Sequence, residues 1–233
     1  MTVQPISPAA VVARIWEIYR DQFALLLGMA LALFAVQFVV ILLVPGATIA
    51  ATILFFALGV LYQGMVVELV QDIQDGRRDH SVGGLIRSVE PVFWPLAAVS
   101  ILFGIALGIG FLLLIIPGLI MMVFWSVVAP VTVLERPGPF AAFGRSRELV
   151  RGNGWNVFGV IVLVFLAVAV ISVAAAVASA GLGSVGRALV QWAVNSAIAP
   201  VTALSASVLY FALLRQRGSE TAAGGPDQSA AIM

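Results

Sequence analysis

The chain has 233 residues, of which 62% are hydrophobic and only 10% charged, with a formal net charge of +1. A soluble domain carries roughly 25% charged residues, so there is too little polar side chain here to cover a globule in water, and the class that fits is a polytopic membrane protein. With no cysteine and one histidine, His80, the chain cannot form disulfides, thiolate or multi-histidine metal sites, or a cysteine nucleophile, and its near-neutral charge excludes the basic surface of a nucleic-acid binder.

In chain order, residues 1–21 contain an amphipathic helix. At 100° per residue Val11, Val12, Ile15, Trp16, Ile18 and Tyr19 share one face and Arg14, Glu17, Arg20 and Asp21 the other. A first uncharged run, residues 22–44, closes at Pro45-Gly46, and a second span covers 47–70. The first run is longer than a signal-peptide core of roughly 7 to 15 residues and is expected to stay in the membrane. A weaker amphipathic segment follows at 81–90. The uncharged stretch 92–134 is broken by Pro117-Gly118, which predicts spans at 93–115 and 118–134, the second short enough to cross or to return as a re-entrant leg. In 139–151, Ala142, Phe143, Ser146, Leu149 and Val150 face away from Arg145, Arg147, Glu148 and Arg151. Pro139 suits a helix start and Gly152 a helix end. Spans at 155–180 and 188–214 are separated by Gly181-Leu182-Gly183-Ser184, and 215–233 reads as a disordered tail.

The expectation is an all-α polytopic membrane protein: six transmembrane helices over 22–214 in three hairpins, each hairpin preceded by an amphipathic interfacial helix. Val44-Pro45-Gly46 and Ile116-Pro117-Gly118 mark the repeat at the outer turns. All twelve basic residues are arginine. The six spans put eleven of them on one side and Arg187 alone on the other, which by the positive-inside rule makes that side, and both termini, cytoplasmic. Trp94 and Trp155 begin their spans where an aromatic belt belongs.

Chemistry inside the membrane is sparse. Glu68 is the one ionisable residue within a span, close enough to its cytoplasmic end to reach water or an arginine. No span carries paired carboxylates, and no serine has a buried base to activate it, so no catalytic residue, metal or cofactor is expected. The sixth span is the most polar: Asn195, Ser196, Thr202, Ser205 and Ser207 either join helices by hydrogen bonds or, with Gln37 and Gln63, line a polar path. Gly104, Gly108 and Gly110, and Ser172, Ala176 and Ala180, have the spacing of close helix packing. The arginines of 139–151 either answer to orientation alone or engage phosphate, whose oxygens suit the planar guanidinium.

The stretch from residue 116 to 163 resembles the membrane domain of glycerophosphoryl diester phosphodiesterase membrane-domain proteins. The matching marks are Ile116-Pro117-Gly118, Pro130, Val133-Leu134-Glu135, Ala142, Arg145-Ser146, Leu149-Val150, Gly152 and Trp155. Some of those relatives carry a fused phosphodiesterase barrel with histidines and carboxylates at a metal. Only one histidine is present here and no room for that barrel follows residue 214, so no catalytic residue carries over. The resemblance implies a stand-alone membrane domain. The function expected is non-enzymatic: binding or organising membrane lipids, anionic ones among them, or a membrane-protein partner, through Arg145, Arg147, Arg151, Asn153 and Trp155. The alternative is a small transporter or channel along Gln37, Gln63, Asn195, Ser196 and Thr202. The compartment expected is the plasma membrane of a bacterium.

Overall fold

Among the residues described by the computed structural model, 7–43, 46, 48–76 and 82–223, the chain is helical with no strand. The Val44-Pro45 turn, Arg77, Arg78, His80, residues 224–233 and the Gln37 side chain lie outside that set. An amphipathic helix α1 (Pro8–Asp21) leads through Gln22 into α2 (Phe23–Leu43), which pairs with α3 (Thr48–Gln74). A short helix α4 (Val82–Val89) and one 3₁₀ turn (Glu90–Val92) enter α5 (Phe93–Leu113). The chain returns as α6 (Ile115–Phe124), a one-turn α7 (Val128–Pro130) and a π turn (Val131–Glu135). Then α8 (Pro139–Val150) precedes the last hairpin, α9 (Gly154–Ser179) and α10 (Ser184–Ala223). Six of these helical stretches are long and apolar enough to cross a membrane. At 1.5 Å per residue, the 21 residues of α2 reach about 31 Å, the thickness of a hydrocarbon core.

The hairpins form a ring. The second helix of each packs on the first helix of the next: α3 on α5, α6 on α9, and α10 back on α2. Each interfacial helix docks on the hairpin before it in that cycle, α4 on α3, α8 on α5 and α6, and α1 on α9 and α10. Two glycines permit this docking. A Cβ on Gly64 of α3 would lie 2.6 Å from Val89 of α4, and one on Gly159 of α9 would lie 3.1 Å from Pro8 of α1. The buried centre is built from α3, α10 and the α7–π segment, with Met65, Leu69, Val131, Leu204 and Leu209 at 2% exposure or less. The outward faces of the spans are apolar too, including Leu112, Ile115, Phe165 and Val170. A water-soluble monomer does not expose such a surface; lipid tails cover it at no cost. Exposed Trp16, Trp94, Phe140 and Trp155 stand in or just after the amphipathic helices, the pattern of an interfacial belt.

The structure corrects several details. Pro117-Gly118 is not the turn. The chain reverses at Leu114, which is extended at φ −163°, ψ 147°, and Pro117 lies in the first turn of α6, where its missing N–H has no intrahelical partner to lose. Gly118 is there for contact: a Cβ would come within 2.6 Å of the Phe111 ring. The fourth span is not one helix either, because α6 stops at Phe124 and turns before α7 and the π segment. Arg136, left-handed at φ 52°, ends that segment. Further along, α10 runs on through Arg215 and Arg217 to Ala223, so the expected tail begins as helix. Of the small residues, Gly110 packs against Gly118, whereas Gly104 and Gly108 meet nothing within 4 Å, and Ser172 and Ala176 are exposed.

Candidate lipid-binding groove

Five residues on one face of α6, Ile116, Leu119, Ile120, Val123 and Phe124, follow helical spacing and oppose Gly154, Trp155 and Phe158 at the start of α9. Between them lies an apolar groove of about 520 Å³, closed at one end by Arg151 and Gly152. Its shape follows from local sequence. Arg151 caps α8, Gly152 takes φ 93° as the left-handed residue that ends the helix, and Asn153 begins α9. Gly154 faces Val123 across that corner, a Cβ there standing 4.0 Å from Val123 Cγ1. Trp155, 86% exposed, stands edge-on to Phe158 with ring centres 6.1 Å apart.

The five residues singled out from sequence divide into different duties. Arg151 is exposed at the groove, and among the described residues its guanidinium has no acidic partner. Arg147, one turn earlier on α8, lies 5.5 Å over the ring of Phe124, a groove residue. Trp155 forms the opposite lip. Arg145, by contrast, is engaged within the protein: its Nε donates to Glu135 Oε2 at 2.8 Å and its Nη1 to Glu148 Oε2 at 3.1 Å. The hydrogen bond to Glu135 raises its already high pKa further. Asn153 is buried, and its part is played by the backbone, its carbonyl accepting from Val157 N–H at 3.0 Å.

Sequence reasoning missed the network around Glu135. Tyr210 of α10, 3% exposed, donates its hydroxyl to Glu135 Oε1 at 2.9 Å, across 75 positions in sequence. Arg217 reaches Glu148 as well, at 3.9 Å between Nη1 and Oε1. Ser146 donates to the Phe124 carbonyl at 2.9 Å, which satisfies the end of α6 where the span breaks. These contacts lock α8 beside the groove, so that Arg147 and Arg151 project from a fixed edge. Glu68 faces the charge of Arg136, as its position near the end of α3 allows.

The polar-path residues converge only in part. Gln63, Asn195 and Thr202 line one cavity of about 230 Å³ between α2, α3 and α10. Ser196 is fully buried and spends its hydroxyl on the Trp192 carbonyl at 2.8 Å, outside that lining. Ser205, Ser207 and Thr202 likewise bond carbonyls of their own helix, so they do not join α10 to its neighbours by side-chain hydrogen bonds. No group of three or more potential metal-ligating residues occurs among the described residues.

Fold and surface together define a polytopic α-helical membrane protein. A UPF0259 membrane protein of Pectobacterium carotovorum subsp. carotovorum (strain PC1) is 31% identical over 94 residues, which are 40% of this chain and 37% of that protein. The chain thus aligns with little more than a third of the relative's length. No family profile matches the chain, and no solved structure matches it. None of these findings links it to the glycerophosphoryl diester phosphodiesterase membrane domain.

Proposed function

We propose that the chain is a non-enzymatic protein of the bacterial plasma membrane that binds an anionic phospholipid in the α6–α9 groove. An acyl chain lies along Ile116, Ile120 and Phe158, and the phosphate meets Arg151 with Arg147 beside it. The observation that carries this reading is the Arg151 guanidinium, without an acidic partner among the described residues, at the end of an apolar groove of about 520 Å³. That volume lies inside the roughly 300–1,000 Å³ range of small-molecule sites. Guanidinium is the side chain best matched to a phosphate. The arginine distribution supports a cytoplasmic placement of α1, α4, α8 and both termini. The transporter alternative has less behind it: the cavity at Gln63 and Asn195 is lined by no carboxylate, arginine or histidine for coupling.

The test is titration of dioctanoyl-phosphatidylglycerol and dioctanoyl-phosphatidylcholine into the detergent-solubilised protein, read by tryptophan fluorescence. A charge-assisted hydrogen bond is worth about 1.5–3 kcal/mol, so Arg151→Gln is expected to weaken the anionic lipid about 10-fold or more and to weaken the zwitterionic one, whose phosphate is already countered by its own ammonium, by less. Equal affinity of the wild type and Arg151→Gln for phosphatidylglycerol would refute the proposal.

A further inference from the structure

A second cavity, away from the α6–α9 groove, has features that the lipid reading leaves unused. It lies between α2, α3 and α10, holds about 230 Å³, and is walled by Phe34, Phe55 and Tyr62. The ring centres of Phe34 stand 5.4 Å from Phe55 and 6.1 Å from Tyr62. An apolar cavity of roughly 150 Å³ already holds a benzene ring, so this one has space for a ring with substituents.

Among its lining residues, one buried side-chain donor has no partner. The Tyr62 hydroxyl donates to the Leu26 carbonyl at 3.0 Å, and Asn195 Oδ1 accepts from Gln191 Nε2 at 2.9 Å. Gln63 Nε2 is buried and has no acceptor. Unpaired donors in a membrane interior are costly and call for an acceptor. No charged side chain lines the cavity. Gln63 is about 22 Å along α3 from Thr48 and Asn195 about 16 Å along α10 from Ser184, depths at which a phosphate or ammonium headgroup is disfavoured.

Gly59 leaves part of this space unfilled. It sits inside α3, where glycine is the least favoured ordinary residue, yet a Cβ there would meet no atom within 4 Å. Unlike Gly64 one turn away, it is not required by a packed neighbour; it lines the cavity. Phe55 and Thr202, on the cavity's wall, are also exposed at the lipid-facing surface, so entry is from the bilayer rather than from water.

We infer that this cavity binds an uncharged, membrane-soluble ring carbonyl compound of the quinone class, its ring among Phe34, Phe55 and Tyr62 and a carbonyl oxygen accepting from Gln63. Menadione is the probe, and binding of the radiolabelled compound to the full chain in maltoside micelles is measured against protein-free micelles. The expected result is one saturable site that excess dioctanoylglycerol does not displace. Gly59→Leu fills the cavity and abolishes binding, Gly59→Ala weakens it, and Gln63→Leu lowers affinity about 10-fold, in line with loss of one buried hydrogen bond. All three retain the helicity of the wild type by circular dichroism. Non-saturable uptake, or equal binding by Gly59→Ala and Gln63→Leu and the wild type, would overturn the inference. Displacement by dioctanoylglycerol would overturn the ring selectivity and assign the acceptor to a glyceride ester.

Discussion

Replacing Gly64 by alanine tests how the interfacial helices are held. The added methyl would lie 2.6 Å from Val89 Cγ1, 3.1 Å from Val89 Cγ2 and 3.4 Å from Leu96 Cδ2, against an ordinary carbon–carbon contact of about 3.5–4.0 Å. Val89 is fully buried and β-branched, so it has no free rotamer to retreat into. Overpacking of this kind costs about 1–3 kcal/mol, and the better helix propensity of alanine returns about 1 kcal/mol. The net expectation is a loss of up to about 2 kcal/mol. Gly59→Ala, five residues earlier on the same helix, meets nothing within 4 Å and should be neutral or stabilising. Reversible unfolding in mixed maltoside–dodecyl sulfate micelles, followed by far-ultraviolet circular dichroism, measures both. Val89→Ala alone leaves a void, but combined with Gly64→Ala the two changes compensate. The double variant should therefore be more stable than the sum of the singles by about 1 kcal/mol. Equal effects of the two glycine substitutions, or strict additivity in the cycle, would refute the α3–α4 contact.

Arg145→Gln removes the hydrogen bonds to Glu135 and Glu148 and is expected to lower stability by about 1–2 kcal/mol in the same assay, whereas Arg151→Gln changes it by less than about 0.5 kcal/mol. Tyr210→Phe takes one partner from Glu135 and should cost about 1 kcal/mol, with a smaller effect in the Arg145→Gln background because both act on one carboxylate. The absence of cysteine permits a direct topology test: Ser219→Cys and Ser184→Cys, each the single thiol in its chain, should be labelled by a membrane-impermeant maleimide from opposite faces, Ser219→Cys only after the cytoplasmic face is opened. Labelling of both from the same face would contradict the six-span topology.

The spans and their amphipathic leaders were legible because their signals are local. An uncharged run of about 20 residues has few fates, and the 3.6-residue period of 139–151 reports which face is buried. Proline was misread at Pro117 because it marks the first turn of a helix as readily as the turn before it, and only the reversal at Leu114 decides between them. Serines on α10 were read as links between helices or as the lining of a polar path, but a hydroxyl on a helix always has its own carbonyl four residues back within reach, and here it takes it. The candidate site was half legible. Arg147, Arg151 and Trp155 lie close together in sequence and border one groove, while the residues that hold α8 there come from far away. Glu135 and Tyr210 meet where α10 packs beside the α7–π segment, and nothing in either segment announces its partner. The groove wall on α6 was hidden for a different reason: in an all-apolar helix the face turned to a cavity has the same composition as the face turned to lipid.

The central claim is that the α6–α9 groove and Arg151 hold an anionic phospholipid, and native mass spectrometry of the protein released gently from its own membrane tests it most directly. The account predicts a defined anionic phospholipid retained by the wild type but lost from Arg147→Gln/Arg151→Gln. A heterogeneous set of lipids, the same on the wild type and on the Arg147→Gln/Arg151→Gln protein, would contradict it and return those arginines to orienting the chain in the membrane.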